Sequence, residues 1–281
     1  MAIIRGIKRL FFKLGSIAFS LLRLTTFGRG FLERILVSLM RNKATIVHND
    51  ITLTFAVPNQ MNYFRIETFS SKEPETLEWI DAIPKNSILW DIGANVGLYT
   101  CYAIKSRNCK VYCFEPSVFN VELLARNIFM NNLVSKAVIV PLPLTSIVTE
   151  SSLNMSSTDW GMSLSSFGQS YGHDGKELNK QFEFKTIGIS MDQCITLLNL
   201  PSPDYIKMDV DGIEHLILKG GKKVLRKVKG IIIEINEEFE EQKKQSVALL
   251  KAAGLKFKEK RHADKFENGE FRNTYNQIWV R

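Results

Sequence analysis

Between residues 90 and 97 the chain reads Trp90-Asp91-Ile92-Gly93-Ala94-Asn95-Val96-Gly97, a glycine-bearing turn that follows an apolar run. Glycines in such a turn let a ligand approach the backbone and leave the N–H groups of a following helix free to donate. Eighteen residues after Gly97 a second apolar run, Val111-Tyr112-Cys113-Phe114, ends in Glu115-Pro116-Ser117. In a doubly wound sheet a carboxylate at that distance lies against a ribose, whose two hydroxyls can donate to its two oxygens. The spacing Gly93-x-x-x-Gly97 is not the dinucleotide fingerprint GxGxxG, so the chemistry expected is recognition of a nucleoside without a tightly cradled pyrophosphate.

A second block, Lys207-Met208-Asp209-Val210-Asp211-Gly212-Ile213-Glu214, concentrates charge at the end of another apolar run. On a strand Lys207 and Asp209 share a face, and a charged pair there must be partnered or face a cleft. Asp211-Gly212 then turns into a helix whose first turn holds Glu214, where a negative charge suits the dipole. Asp209, Asp211, His215 and His173 are the candidates for accepting a proton, the two aspartates ahead of the histidines. Asp209, Asp211, Glu214 and Glu234 could ligate Mg²⁺, but an acidic cleft rim is the preferred reading and no metal is expected. Trp160 and Tyr171, beside Gly161-Met162-Ser163-Leu164, could stack on a flat acceptor or simply pack a loop onto the body.

These residues need a sheet to carry them. Residues 44 to 57 alternate as a hairpin, and Pro74 opens a short helix to about Ala82. From Ser87 strands and helices alternate: strands at 88–90, 110–114, 137–140, 182–189, 205–208 and 231–235, with helices between them. Short apolar strands between amphipathic helices imply a parallel sheet covered on both faces. In such sheets ligands sit at the carboxyl ends of strands, where Asp91, Glu115, Asp209, Asp211, Glu234 and Asn236 all fall. Residues 145–181, rich in Ser, Thr, Asn and Gly, read as a lid or substrate loop, and 256–260 with 275–280 as an antiparallel edge pair.

The ordered set WDIGANVGLYT, VYCFEPS, the helix carrying Asn127 and Asn131, DYIKMDVDGIEHLILKGG and IIIEIN resembles the FkbM family of S-adenosylmethionine-dependent methyltransferases. The likeness runs from about Ser87 to Asn236 and does not reach residues 1–43. It implies an α/β, Rossmann-like class I methyltransferase fold, the sheet mostly parallel with an antiparallel C-terminal edge strand. It also implies that Asp91, Gly93, Asn95 and Gly97 line the methionine and sugar of the cofactor and that Glu115 holds the ribose hydroxyls. Pro116 and Ser117 would flank the adenine, with the Leu144 to Ser146 turn on its other side. Thr145 and Ser146 stand where the family has an acidic or amide residue. The reaction implied is O-methylation of a hydroxyl on a sugar or glycan intermediate. An N-methyltransferase of protein or nucleic acid would carry a motif such as NPPY where DVDG stands; a cofactor-binding module without turnover and an NAD-dependent oxidoreductase are the rivals from other classes.

Charge completes the reading. The 281 residues carry 37 basic and 29 acidic side chains, and the excess of +8 is matched by residues 1–43, with nine basic residues and one acid. The remainder is formally neutral, which argues against a nucleic-acid partner. Ile3, Ile4, Ile7, Leu10, Phe11, Leu14, Ile17 and Ala18 recur at helical steps, so this segment is expected as a basic amphipathic helix, either lying on an anionic membrane or packed on its own domain. Its uncharged run is too short to span a bilayer, and it lacks a signal-peptide pattern. Four cysteines without metal-ligand spacing read as reduced core thiols, hence a cytoplasmic protein, with membrane association at the inner face if the segment binds lipid. The organisation expected is therefore 1–43 helical segment, 44–84 leading hairpin and helix, and 85–281 S-adenosylmethionine-binding domain.

Overall fold

The computed structural model describes residues 13, 15–263, 266–269 and 271–281. A helical run over residues 15–22 leads through a turn into α1 (Thr26–Met40), then the hairpin β1 (Lys43–His48) and β2 (Ile51–Ala56), and helices α2 (Gln60–Glu67), α3 (Phe69–Lys72) and α4 (Pro74–Ala82). The alternating part follows as β3 (Ile88–Ile92), α5 (Leu98–Arg107), β4 (Lys110–Phe114), α6 (Val118–Met130) and β5 (Ala137–Val140). Next come β6 (Thr149–Met155), β7 (Ser165–Phe167), β8 (Phe182–Gly188), α7 (Met191–Leu197), β9 (Tyr205–Met208), α8 (Glu214–Lys219) and α9 (Lys222–Leu225). The chain closes with β10 (Gly230–Asn236), α10 (Glu240–Ala252), β11 (Lys256–Arg261) and β12 (Thr274–Val280). Of the expected amphipathic positions, Ile3, Ile4, Ile7, Leu10, Phe11 and Leu14 lie outside the described residues, while Ile17 and Ala18 belong to the first helical run.

Seven strands form one sheet in the order β11-β12-β10-β9-β3-β4-β5. The five from β10 to β5 are parallel, whereas β12 runs antiparallel between β10 and β11. Alternation along the strands splits the core between the two sheet faces. Trp90, Ile92, Tyr112, Phe114, Ile206 and Met208 belong to one cluster. Leu89, Val111, Cys113 and Ile232 belong to the other, which also takes in Leu53 and Phe55 of the hairpin and Leu77 and Ile80 of α4. The leading hairpin and helices thus share a core with β3 and β4.

Two expectations are corrected here. The polar stretch 145–181 is not a plain loop, and β8 does not join the central sheet: β6 pairs with both β7 and β8 in a separate three-stranded antiparallel sheet. β6 and β7 bury only Leu153, Met155, Ser166 and Phe167 among polar neighbours, an apolar face thin enough to resemble a loop. Helices α2 and α3 also lie where no element was expected. Asn59 caps α2 by accepting from the Asn62 N–H.

Asn127 and Asn131, one helical turn apart on α6, fasten the hairpin to the body. Asn127 Oδ1 accepts from the Ala56 N–H (2.8 Å) and its Nδ2 donates to the Val96 carbonyl (2.7 Å). Asn131 Oδ1 accepts from the Thr54 N–H (3.0 Å) while its Nδ2 donates to the Thr54 carbonyl (2.6 Å). Both side chains are buried, and they satisfy backbone groups of β2 on the side away from β1. Asn127→Leu should therefore strand an N–H and a carbonyl and cost about 2–5 kcal/mol of stability, read as a fall in denaturation midpoint. A loss below about 0.5 kcal/mol would show that these bonds do not hold the hairpin.

Candidate active site

The carboxyl ends of β3, β4, β9 and β10 open into one cavity. Gly93 and Asn95 from the turn after β3, Glu115 and Pro116 after β4, Asp209 and Asp211 after β9, and Glu234 on β10 all line it. Gly93 has φ +80°, and a Cβ there would lie 1.8 Å from the Asp209 carbonyl oxygen. The glycine is thus required by the close approach of β9, not only by a ligand. Gly97, at φ +83°, starts α5, and a Cβ there would strike Leu124.

Glu115 is buried, and its two oxygens are each held by a backbone donor: Oε2 by the Asn95 N–H (2.8 Å) and Oε1 by the Ser117 N–H (2.9 Å). The Asn120 amide also acts on this carboxylate, which with about four acceptor sites keeps capacity for a further donor. Burial pushes this carboxyl up to about 7, against the pull of those two N–H groups. The cavity it lines also takes in the apolar side chains of Ile92, Phe114, Leu142, Leu144, Phe167 and Ile217. A carboxylate poised for two hydroxyls beside an apolar slot suits a ribose and a flat base.

The other carboxylates divide by what they already hold. Lys207 is buried, 3.3 Å from Asp209 and 3.8 Å from Asp91, with its ammonium over the Tyr99 ring. Burial opposes its charge, but Asp209, Asp91 and Glu73 keep it above the usual lysine range. Asp91 also accepts from the Thr100 hydroxyl, is 1% exposed, and does not line the cavity. It lies behind the cavity lining, between Lys207 and Thr100. Glu214 is likewise committed, accepting from the Val210 and Gly212 N–H groups and from Gln242, with its carboxyl raised by burial to about 7. It ties the Asp211-Gly212 turn to α8 and α10.

Asp211 accepts from the Leu164 N–H (2.8 Å). Both residues are left-handed, at φ +60° and +62°, a conformation costing non-glycine residues of order 1–3 kcal/mol. This bond fixes the Gly161–Leu164 segment over the cavity. Arg65 donates twice to the Gly161 carbonyl, Asn95 and Asn120 both donate to the Met162 carbonyl, and Asn59 and Asn62 to the Trp160 carbonyl. Met162 and Ser163 are the parts of this roof that face inward. Asn120 and Arg65 carry no sequence signal for such a role, because their targets are main-chain carbonyls far along the chain.

Several expected residues lie elsewhere. His215 is 1% exposed on α8, edge-on to Phe239 at 5.9 Å, and off the cavity; burial lowers its pKa. His173 stacks on Phe271 at 4.7 Å and is also off the lining. Trp160 packs beside Val96 and Leu123 and donates to Glu122, while Tyr171 packs on Phe239. Both aromatics are packing residues, not an acceptor platform. Ser117 contributes its N–H to Glu115 but does not line the cavity, and of the turn after β5 only Leu144 among Leu144, Thr145 and Ser146 does. The far end of the cavity, unforeseen, is made by Phe64, Arg65, Lys72, Glu73, Glu75 and Asn276 among others. Burial resists the charge on Glu73, but Lys72 and Lys207 bring it down to about 2. Glu234 is pushed well above the ordinary range by burial and by Asp209 and Glu73. Among the described residues no group of three or more His, Cys, Asp or Glu is placed to hold a metal ion.

A family model for the methyltransferase FkbM domain matches residues 91–268, well over half the chain. The chain belongs to the FkbM methyltransferase family. This FkbM protein is a methyltransferase whose cofactor is S-adenosyl-L-methionine. It is 25% identical to the hexuronic acid methyltransferase AglP of Haloferax volcanii over 188 residues, 65% of this chain and 70% of that protein. Among solved structures it resembles the methyltransferase FkbM of Methylobacillus flagellatus, with TM-score 0.46 and 16% identity, over 71% of this chain and 44% of that one. It also resembles Aeropyrum pernix fibrillarin, solved with natively bound S-adenosyl-L-methionine, with TM-score 0.47 and 10% identity over 86% and 84%.

The raised Glu115 carboxyl makes cofactor affinity pH-dependent if the ionised form accepts the ribose hydroxyls. Proton loss must then accompany binding, so the Kd should rise about tenfold from about pH 8 to about pH 6. Glu115→Gln should bind weakly at both, since its amide must face either the Asn95 or the Ser117 N–H; calorimetry reads both. A wild-type Kd flat across that range would place the ribose elsewhere. Gly93→Ala should lose about 2 kcal/mol or more of stability through the Asp209 contact and its positive φ, whether or not cofactor is present.

Proposed function

We propose that this enzyme transfers the methyl group to a hydroxyl of a sugar, as part of a glycan or its precursor. The observation that carries the reading is the position of Asp209: with Glu73, which is paired to Lys72, it lines both the main cavity and the side pocket that Gly93, Tyr99 and Lys207 also line. When bound, S-adenosylmethionine supplies an electrophilic methyl carbon on a sulfonium. Transfer to an alcohol then needs alignment, worth about 7–11 kcal/mol, and a proton acceptor, worth about a hundredfold to ten-thousandfold.

The chain's own groups fit those two needs. Glu115 and the turn through Gly93 and Asn95 would fix the donor, and the Gly161–Leu164 roof would exclude water. Asp209, unlike Glu115, Asp211 and Glu214, is not engaged with a main-chain N–H; its carboxylate pairs with Lys207. It is assigned as the proton acceptor, while Asp211 is a positioning residue whose carboxylate is spent on Leu164. Glu234, whose carboxyl is raised well above the ordinary range by burial and by Asp209 and Glu73, lines the same opening. Carboxyl, amide and guanidinium groups at the far end, beside the rings of Phe64 and Phe271, suit sugar hydroxyls and sugar C–H faces. The name of the haloarchaeal relative, a hexuronic acid methyltransferase, supports the same acceptor class.

Incubation with methyl-labelled cofactor and a panel of nucleotide sugars and glycans, followed by locating the label, tests the assignment. Label on a sugar oxygen is expected; label only on nitrogen would overturn it. Asp209→Asn should lower kcat by about a hundredfold or more while changing cofactor Kd by less than about threefold. His215→Gln should leave kcat of the folded protein within about threefold, because the ring does not reach the cavity.

A further inference from the structure

We infer that the N-terminal arm, from residue 15 through α1, is a docking surface for an anionic lipid bilayer. Nine of the 23 large apolar side chains exposed in the described chain fall between Ile17 and Leu39. They include Leu24 at 75% exposed and Phe27 at 84%, and the only buried residue of α1 is Gly28, set against Leu22 of the preceding helical run. The arm is therefore not packed down on the catalytic body, which removes the simpler of the two roles its sequence allowed.

The apolar side chains are ordered. At about 100° per residue, Phe27, Phe31, Ile35 and Leu39 succeed one another along one side of α1, with Leu32 and Leu36 beside them; Val37 and Met40 fall outside this arc. Arg29 borders the arc on one side and Arg34 and Arg41 on the other, with Glu33 on the far face. Residues 13–43 carry Lys13, Arg23, Arg29, Arg34, Arg41 and Lys43 against that single acid. An apolar stripe edged by arginines lets rings enter the acyl boundary while guanidinium groups meet lipid phosphates. A second copy is the poorer occupant, since pairing two such faces would bring like charges together along both borders. Among the described residues no helix is long and apolar enough to cross a membrane, so the contact is peripheral.

Sedimentation of the full chain with phosphatidylcholine vesicles containing about 30% phosphatidylglycerol, and with phosphatidylcholine alone, tests this. Binding to the anionic vesicles is expected, about tenfold or more weaker on neutral ones and weakened again by salt. The paired change Phe27→Ser with Phe31→Ser, and separately the triple change Arg29→Gln, Arg34→Gln and Arg41→Gln, should each reduce vesicle binding about tenfold while leaving cofactor affinity unchanged. Absence of binding, equal binding to both vesicles, or a lipid-free dimer that either variant dissociates would overturn the inference.

Discussion

The buried ammonium of Lys207 is the interaction on which the centre of this molecule depends. Strands β3 and β9 are neighbours in the sheet, and Asp91 near the end of the first and Asp209 just past the end of the second both approach Lys207. Two carboxylates and the nearby Glu73 could not share that space uncompensated, because charge buried in a low dielectric is expensive. Lys207 between the two aspartates, with Lys72 paired to Glu73, compensates that charge, and Gly93 lets the turn press against the Asp209 carbonyl. The cavity floor follows from that arrangement, and so does the separation of tasks. Asp91 is buried beside Lys207 and Thr100, whereas Asp209, hydrogen-bonded to Lys207, also faces the cavity.

Above that floor, polar side chains hold main-chain groups rather than one another. Glu115 and Glu214 each collect two backbone N–H groups, and the roof segment is gripped through its carbonyls by Arg65, Asn59, Asn62, Asn95 and Asn120. Carboxyls so placed are buried and consequently raised, and their oxygens are committed to holding the fold.

Much of this was legible in the chain of letters because it is local. The turn from Trp90 to Gly97, the carboxylate closing β4, and Pro74 opening α4 each announce themselves within a few residues. The hairpin is marked by alternation on both sides of His48-Asn49-Asp50. What escaped was decided by tertiary packing. His215 sits one residue after Glu214, and only the docking of α8 against α10 turns its ring toward Phe239 and away from the cavity. Asp91 looks like a ligand residue until Lys207 is placed beside it. The small sheet of β6, β7 and β8 hid behind serines and threonines, and the far wall of the cavity is assembled from residues 61–75 and 262–276, nearly two hundred positions apart.

The asparagine pair on α6 has a consequence for how such an enzyme can diversify. Asn127 and Asn131 read amides and carbonyls, groups that every residue type except proline presents alike. The docked ribbon can therefore change its composition freely while keeping its seat. Because the chain leaving that ribbon goes on to supply Phe64, Arg65 and Glu73 to the cavity, drift there would, on the function proposed above, retune the acceptor while leaving Glu115 and the Gly93 turn in place.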